Sequence, residues 1–156
     1  MAVKLGNIIF LGHARMASTA ISEMLIRAGG ERIGPNHEPW FGEGYKFCVI
    51  RNPLDVLATW FVLNPQWKDM SSFLQNYNHR AMRRNGRLFY LVQYCDDYIL
   101  YDHLEEELLI KYGATLNLER VGVTPGKMDY HHYFSPENVA LARLIYRKDF
   151  ALYEEN

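Results

Sequence analysis

Arg15, Ser18 and Thr19 lie in Gly12-His13-Ala14-Arg15-Met16-Ala17-Ser18-Thr19, between the apolar run Ile8-Ile9-Phe10-Leu11 and a helical stretch opening Ala20-Ile21-Ser22. A strand, a tight turn bearing a cation and a helix opened by hydroxyl residues form a phosphate cradle. The first N–H groups of such a helix lack intrahelical partners and carry the positive end of its dipole. A second segment repeats the pattern: Phe47-Cys48-Val49-Ile50 leads to Arg51, and Asn52-Pro53-Leu54-Asp55 opens another helix with Asn as cap and Pro in the first turn. Two cradles predict a ligand with two separate anionic groups.

The first segment has the spacing of a Walker-type loop, G-x-x-x-x-G-K-[ST], with Ala17 at the second glycine and Ser18 at the lysine. Nucleoside triphosphate chemistry needs that lysine on the outer phosphates and a hydroxyl on magnesium. The residues present suit holding a phosphate better than transferring one.

The elements that must position these groups follow from periodicity. Lys4 to Leu11 reads as a buried strand and Lys46 to Ile50 as another. Ile21, Met24, Leu25 and Ala28 recur at helical spacing, which predicts a helix from Ser18 to about Ala28 stopped by Gly29-Gly30. Residues 31–45, with Gly34-Pro35, Pro39, Gly42 and Gly44, read as a long irregular loop. Helical texture runs from Met70 to about Arg84, Leu88–Tyr94 and Tyr98–Tyr101 read as short strands, and Leu104–Tyr112 as a helix ended by Gly113. The last helix opens at Ser135-Pro136-Glu137 and carries Val139, Ala142, Ile145 and Tyr146 on one side. Strands alternating with helices predict an α/β fold: three α/β/α layers around a central parallel sheet, in a single domain spanning 1–156.

The chain is 49% hydrophobic and 22% charged with a formal net charge of −1, the balance of a soluble globular protein without general attraction to nucleic acid or acidic membranes. No apolar run is long enough for a membrane span, and Met1-Ala2-Val3-Lys4 lacks signal-peptide architecture. The two cysteines, Cys48 and Cys95, fit neither a disulfide framework nor a zinc pattern. A reduced cytoplasmic setting is the expectation.

Arg51-Asn52-Pro53-Leu54-Asp55-Val56-Leu57-Ala58-Thr59 resembles the [VF]-R-[DN]-P-x-[DE]-x-x-x-S motif of sulfotransferases that use 3′-phosphoadenosine 5′-phosphosulfate (PAPS). The Gly12–Thr19 loop is similar to that family's P-[KR]-[ST]-G-[TS]-[TS] turn, with Ala14 and Ala17 departing from its Pro and Gly. Tyr98-Ile99-Leu100-Tyr101-Asp102-His103-Leu104 resembles its strand–helix junction, usually R-Y-E-D-L. Val121–Lys127 and His132–Glu137 resemble its late loop and terminal helix, and Tyr146-Arg147-Lys148-Asp149-Phe150 its Y-x-x-D-F close. The resemblance implies a short member with the P-loop NTPase-like sulfotransferase fold, moving a sulfuryl group from PAPS to a hydroxyl or amine and releasing 3′,5′-bisphosphoadenosine (PAP). It implies that Arg15, Met16, Ala17, Ser18 and Thr19 hold the 5′-phosphosulfate and that Arg51 and Thr59 hold the 3′-phosphate, joined there by Lys127. Arg15 would also stabilise charge on the leaving phosphate. Neither the resemblance nor the chemistry calls for a metal, since a sulfuryl group carries less negative charge than a phosphoryl group.

Asn36-His37-Glu38-Pro39-Trp40-Phe41 is similar to the acid–x–aromatic stretch that carries the catalytic glutamate in heparan-type members, which makes Glu38 the expected base. Other branches use a histidine here, so His37 is the alternative. Arg80, Arg83, Arg84 and Arg87, near Trp67 and Tyr77, read as a solvated helix face or an anionic acceptor site. The adjacent His131 and His132 read as structural. The acceptor, a small molecule or a glycan, is not legible, and the short chain predicts an open cleft or one completed by a second subunit in a homodimer. Two competing readings stand beside a sulfotransferase: a PAP- or PAPS-binding module without turnover, and a small P-loop kinase-like phosphotransferase, against which Ser18 counts.

Overall fold

The computed structural model describes residues 1–77, 87–113 and 124–155. The chain divides into two compact units, one from Met1–Arg51 with Leu91–Val123 and the other from Asn52–Tyr90 with Thr124–Asn156. None of the helices in the described residues is long and apolar enough to cross a membrane.

The first unit is built on a five-stranded sheet in the order β3-β1-β2-β4-β5, with β1 Ala2–Leu5, β2 Ile8–Leu11, β3 Glu31–Gly34, β4 Tyr45–Ile50 and β5 Asp97–Leu100. The α/β class holds, but the sheet is mixed and not parallel throughout. β2, β4 and β5 run parallel, while β1 is antiparallel to both β2 and β3. The single strand expected over Lys4–Leu11 is a hairpin, with Leu5 paired to Ile8 across Gly6-Asn7. Gly6 takes φ 58, and a glycine at the first central position suits the tight turns whose twist matches that of paired strands. The loop expected over residues 31–45 likewise yields its first four residues to β3, an edge strand.

Two helices close one face of this sheet. α1 (Ser18–Arg27) contributes Ile21 and Leu25, and α4 (Leu104–Tyr112) contributes Leu104 and Leu108, to a core with Val3, Phe10, Phe47, Val49 and Ile99. The strand residues alternate as a pleated sheet requires, and Phe10 meets Phe47 across the parallel register with ring centroids 5.2 Å apart. The outer edge of β5 is blunted by side chains: Lys111 reaches the Tyr98 carbonyl at 3.3 Å, and Asp97 accepts the Tyr98 N–H at 2.8 Å.

The second unit is helical, with α2 Pro53–Val62, α3 Met70–Asn76, α5 Pro136–Ile145 and α6 Arg147–Glu154. Aromatic rings fill it: Phe61 meets Phe73 edge-on at 5.6 Å, and Phe73 stacks on Tyr77 at 4.8 Å. The helix expected to reach Arg84 ends at Asn76 among the described residues, and Arg80, Arg83 and Arg84 lie outside them, as do Val121, Gly122 and Val123. The last helix breaks at Tyr146 (φ −110, ψ 32), which turns Asp149 and Phe150 inward. Leu88–Tyr94 is not a strand. Leu88, Phe89, Tyr90 and Leu91 are buried in succession without alternation, a 3-10 turn covers Tyr90–Tyr94, and the Phe89 N–H goes to the Asp149 carboxylate at 2.9 Å, not to a ladder.

Burial pushes the Asp149 carboxyl above its ordinary value of 3.8, opposed by the Phe89 and Leu88 N–H groups and by Arg87. A raised carboxyl pKa means that the folded state keeps its proton longer than the unfolded chain. The associated stability is therefore fully present below 3.8 and is lost as pH rises through the folded value. Asp149→Ala should cost about 1–3 kcal/mol by stranding the buried Phe89 N–H. Asp149→Asn, which keeps an acceptor, should cost less and remove that pH dependence; urea unfolding from pH 3 to 7 measures both.

Candidate active site

The residues singled out in the first unit gather at the carboxyl ends of its parallel strands. β2 feeds the Gly12–Ala17 turn, β4 ends at Ile50 and delivers Arg51, and β5 ends at Leu100 and delivers Tyr101. These strands are neighbours in the order β2-β4-β5, so their termini share one sheet edge. Crevices outside the carboxyl ends of strands are where open α/β sheets bind ligands.

The turn has an unusual backbone. Arg15 and Ala17 take φ 65 and 56 while Met16 between them does not, and His37, the third non-glycine residue with positive φ among those described, takes φ 57. Left-handed conformations cost a non-glycine residue roughly 1–2 kcal/mol each, and they concentrate at binding and catalytic sites. Alternating φ signs turn successive N–H groups toward a common concavity that receives anions. Ala17 thus adopts a left-handed conformation that glycine would take at lower cost. Its methyl compensates by packing against the core, while Met16 is buried and Arg15 and Thr19 are exposed.

Three contacts hold the turn in place. The Ser18 hydroxyl donates to the His13 carbonyl, folding the start of α1 back onto the loop. The Gly12 N–H donates to the Met1 carbonyl at 3.1 Å. His37 Nδ1 lies 2.9 Å from the Gly12 carbonyl. Gly12 itself permits the close fold, since a Cβ there would lie 2.9 Å from the Ser18 Cβ. The first turn of α1 has neither a side-chain cap nor an acidic residue. Its N–H groups therefore form the anion-receptive helix end.

The start of α2 differs. The Asn52 side chain accepts the Leu54 N–H at 3.0 Å, and Asp55 puts a carboxylate in the first turn. Lys127 pairs with that carboxylate, and the Thr59 hydroxyl donates to the Asp55 carbonyl at 2.9 Å. Asp55 thus gathers Thr59 and Lys127 in the second unit, as Gly12 gathers His37 and the turn in the first. Thr59 is only 3% exposed, and in this conformation its hydroxyl is engaged by the Asp55 carbonyl one helical turn back.

His37 is the best-defined of the two candidate bases. Burial lowers its pKa below the usual 6.5, and the Arg15 cation acts in the same direction, against the Gly12 hydrogen bond and Glu38. A neutral ring accepting nothing from a carbonyl must present Nδ1–H to Gly12, which leaves Nε2 as the lone-pair nitrogen. Glu38, half-buried, is the next residue and near enough to influence the imidazole.

Two groups were not singled out by their residue type. The Arg51 guanidinium lies over the Tyr101 ring, 4.4 Å from its centroid, a pairing visible only once β4 and β5 are known to be parallel neighbours. Asp55 reads from the sequence as ordinary helix-start chemistry, and the structure pairs it with Lys127. His131 is exposed, and its backbone N–H is accepted by the Asp129 carboxylate at 2.9 Å. Among the described residues no group of three or more His, Cys, Asp or Glu side chains is arranged to hold a metal ion. Comparisons with protein-family models, curated proteins and solved structures find no match to this chain.

The depressed pKa of His37 carries a sign. The folded state binds its proton less readily than the unfolded chain, so the stability it supplies is present above pH 6.5 and is lost as pH falls through the folded value. The His37 ring should titrate below 6.5 by NMR, and Arg15→Gln should move that titration upward by removing a nearby positive charge. An unmoved titration would separate Arg15 from the imidazole.

Proposed function

We propose that this chain is a PAPS-dependent sulfotransferase. The observation that carries the reading is the placing of two motif elements, the strained Arg15–Ala17 turn and Arg51, at the carboxyl ends of adjacent parallel strands. The uncapped start of α1 supports it further, because a terminal phosphosulfate supplies the anion that such a helix end accepts.

On this reading the N–H groups from Arg15 to Thr19, with the Arg15 guanidinium, receive the 5′-phosphosulfate. Arg51 receives the 3′-phosphate, with Thr59 and Lys127 assigned to the same group by the sequence resemblance. The acceptor oxygen or nitrogen attacks sulfur in line. The bond between sulfur and the bridging oxygen of the 5′-phosphate breaks, the acceptor's proton passes to the base, and PAP leaves. Holding the reactants in line supplies about 7–11 kcal/mol toward the barrier. On this reading Arg15 and the loop amides stabilise the oxygen that gains charge as the bond breaks, where fixed donors contribute most. No step uses a metal.

The base is one of two neighbours. Glu38 is the residue to which the resemblance points. The Gly12 hydrogen bond favours His37, because it fixes the tautomer in which Nε2 takes the proton. The acceptor is a small molecule or a glycan.

Calorimetry with PAP and with adenosine 5′-monophosphate tests the donor assignment. PAP should bind at least tenfold more tightly, since only it carries the phosphate that a charge-assisted bond from Arg51 selects. Equal affinities would overturn the reading.

The two candidate bases are separated by Glu38→Gln and His37→Asn, assayed with a competent acceptor. Loss of the base should lower turnover by roughly a hundredfold or more with PAP affinity kept, while the other variant costs far less. With His37 as base, the acidic limb of the rate profile should fall below pH 6.5. Near-normal turnover in both variants would remove this loop from the chemistry.

A further inference from the structure

We propose that Tyr101 is the positioning residue for Arg51, holding its guanidinium at the sheet edge so that a 3′-phosphate meets a cation already in place. This rests on the donor-binding reading above and adds to it a residue chosen from geometry. Arg51 immediately follows β4, Tyr101 immediately follows β5, and the parallel register pairs Ile50 with Leu100. The two side chains therefore leave equivalent points of adjacent strands, and the cation lies over the ring at 4.4 Å. Both residues are half-buried, a setting in which partial loss of water strengthens the attraction between a cation and an aromatic face.

The chemistry suits the role. An arginine side chain has several rotatable bonds, and freezing them when a ligand arrives weakens binding. A guanidinium resting on a ring has already lost much of that freedom. The ring engages a face of the cation, whereas the N–H donors that grip a phosphate lie in its plane, so stacking and bidentate phosphate binding are compatible. Lysine in the same place would keep the charge and lose both the stacking and the planar fork.

The test is calorimetry of PAP and adenosine 5′-monophosphate binding to wild type, Tyr101→Phe, Tyr101→Leu, and a series with progressively fluorinated phenylalanine at 101. Fluorination keeps the ring's shape while weakening its negative face. Tyr101→Phe should bind PAP within about twofold of wild type, and Tyr101→Leu about threefold to tenfold more weakly. The fluorinated series should weaken PAP stepwise, with binding of the monophosphate unchanged throughout. A purely structural ring would alter both nucleotides alike and ignore fluorination. Should wild type fail to prefer PAP, the Arg51 assignment falls and Tyr101 with it. Should wild type prefer PAP while the fluorinated series stays flat, the role of Tyr101 is refuted and the donor reading stands. The fluorinated series decides even if Tyr101→Leu does not fold.

Discussion

The parallel pairing of β2 with β4 and of β4 with β5 is the constraint on which the first unit depends. Strands that run the same way finish at the same edge, so the turn after Leu11, the arginine after Ile50 and the tyrosine after Leu100 are delivered together although far apart in the chain. The pairing is fixed by burial. Phe10, Phe47, Val49 and Ile99 must all face α1 and α4, and a slip of one residue would turn every one of them to the opposite face. Packing beneath the sheet thereby sets the register of the charges at its edge.

The turn between β2 and α1 then has to be held against its own preferences. Arg15 and Ala17 take left-handed backbone without being glycine, held by the Ser18–His13, Gly12–Met1 and His37–Gly12 contacts and the burial of Met16. A turn of alternating φ sign leading into an uncapped helix leaves N–H groups of the kind that receive anions. The α2 start shows the contrary design, with its N–H groups met by Asn52 and its charge balanced by Asp55 and Lys127. Two segments that look alike as residue strings therefore differ in what their helix ends can accept.

Legibility followed the range of the interactions involved. Helix starts and stops are local, so α1 and α4 appear nearly at their observed limits from the Ile21–Ala28 spacing and Gly113, and α2 starts where Asn52-Pro53 predicts. The Lys4–Leu11 run was apolar enough to read as one strand, and the weight of Gly6-Asn7 as a hairpin turn shows only when Leu5 is seen opposite Ile8. Leu88–Tyr94 misled for a related reason: its apolar residues serve a buried turn whose backbone donor is taken by Asp149, sixty residues away. In the site, the cationic and hydroxyl residues were visible by type. Gly12, Asp55 and Tyr101 each lie within a quoted motif, but their pairings with His37, Lys127 and Arg51 are set by topology and have no local signature.

In the proposed function the turn after β2 and the arginine after β4 grip two phosphates of one nucleotide. A structure of the protein with PAP bound tests it most directly. The 5′-phosphate should lie within hydrogen-bonding distance of the N–H groups between Arg15 and Thr19, and the 3′-phosphate on Arg51. PAP bound with both phosphates away from these groups would contradict it.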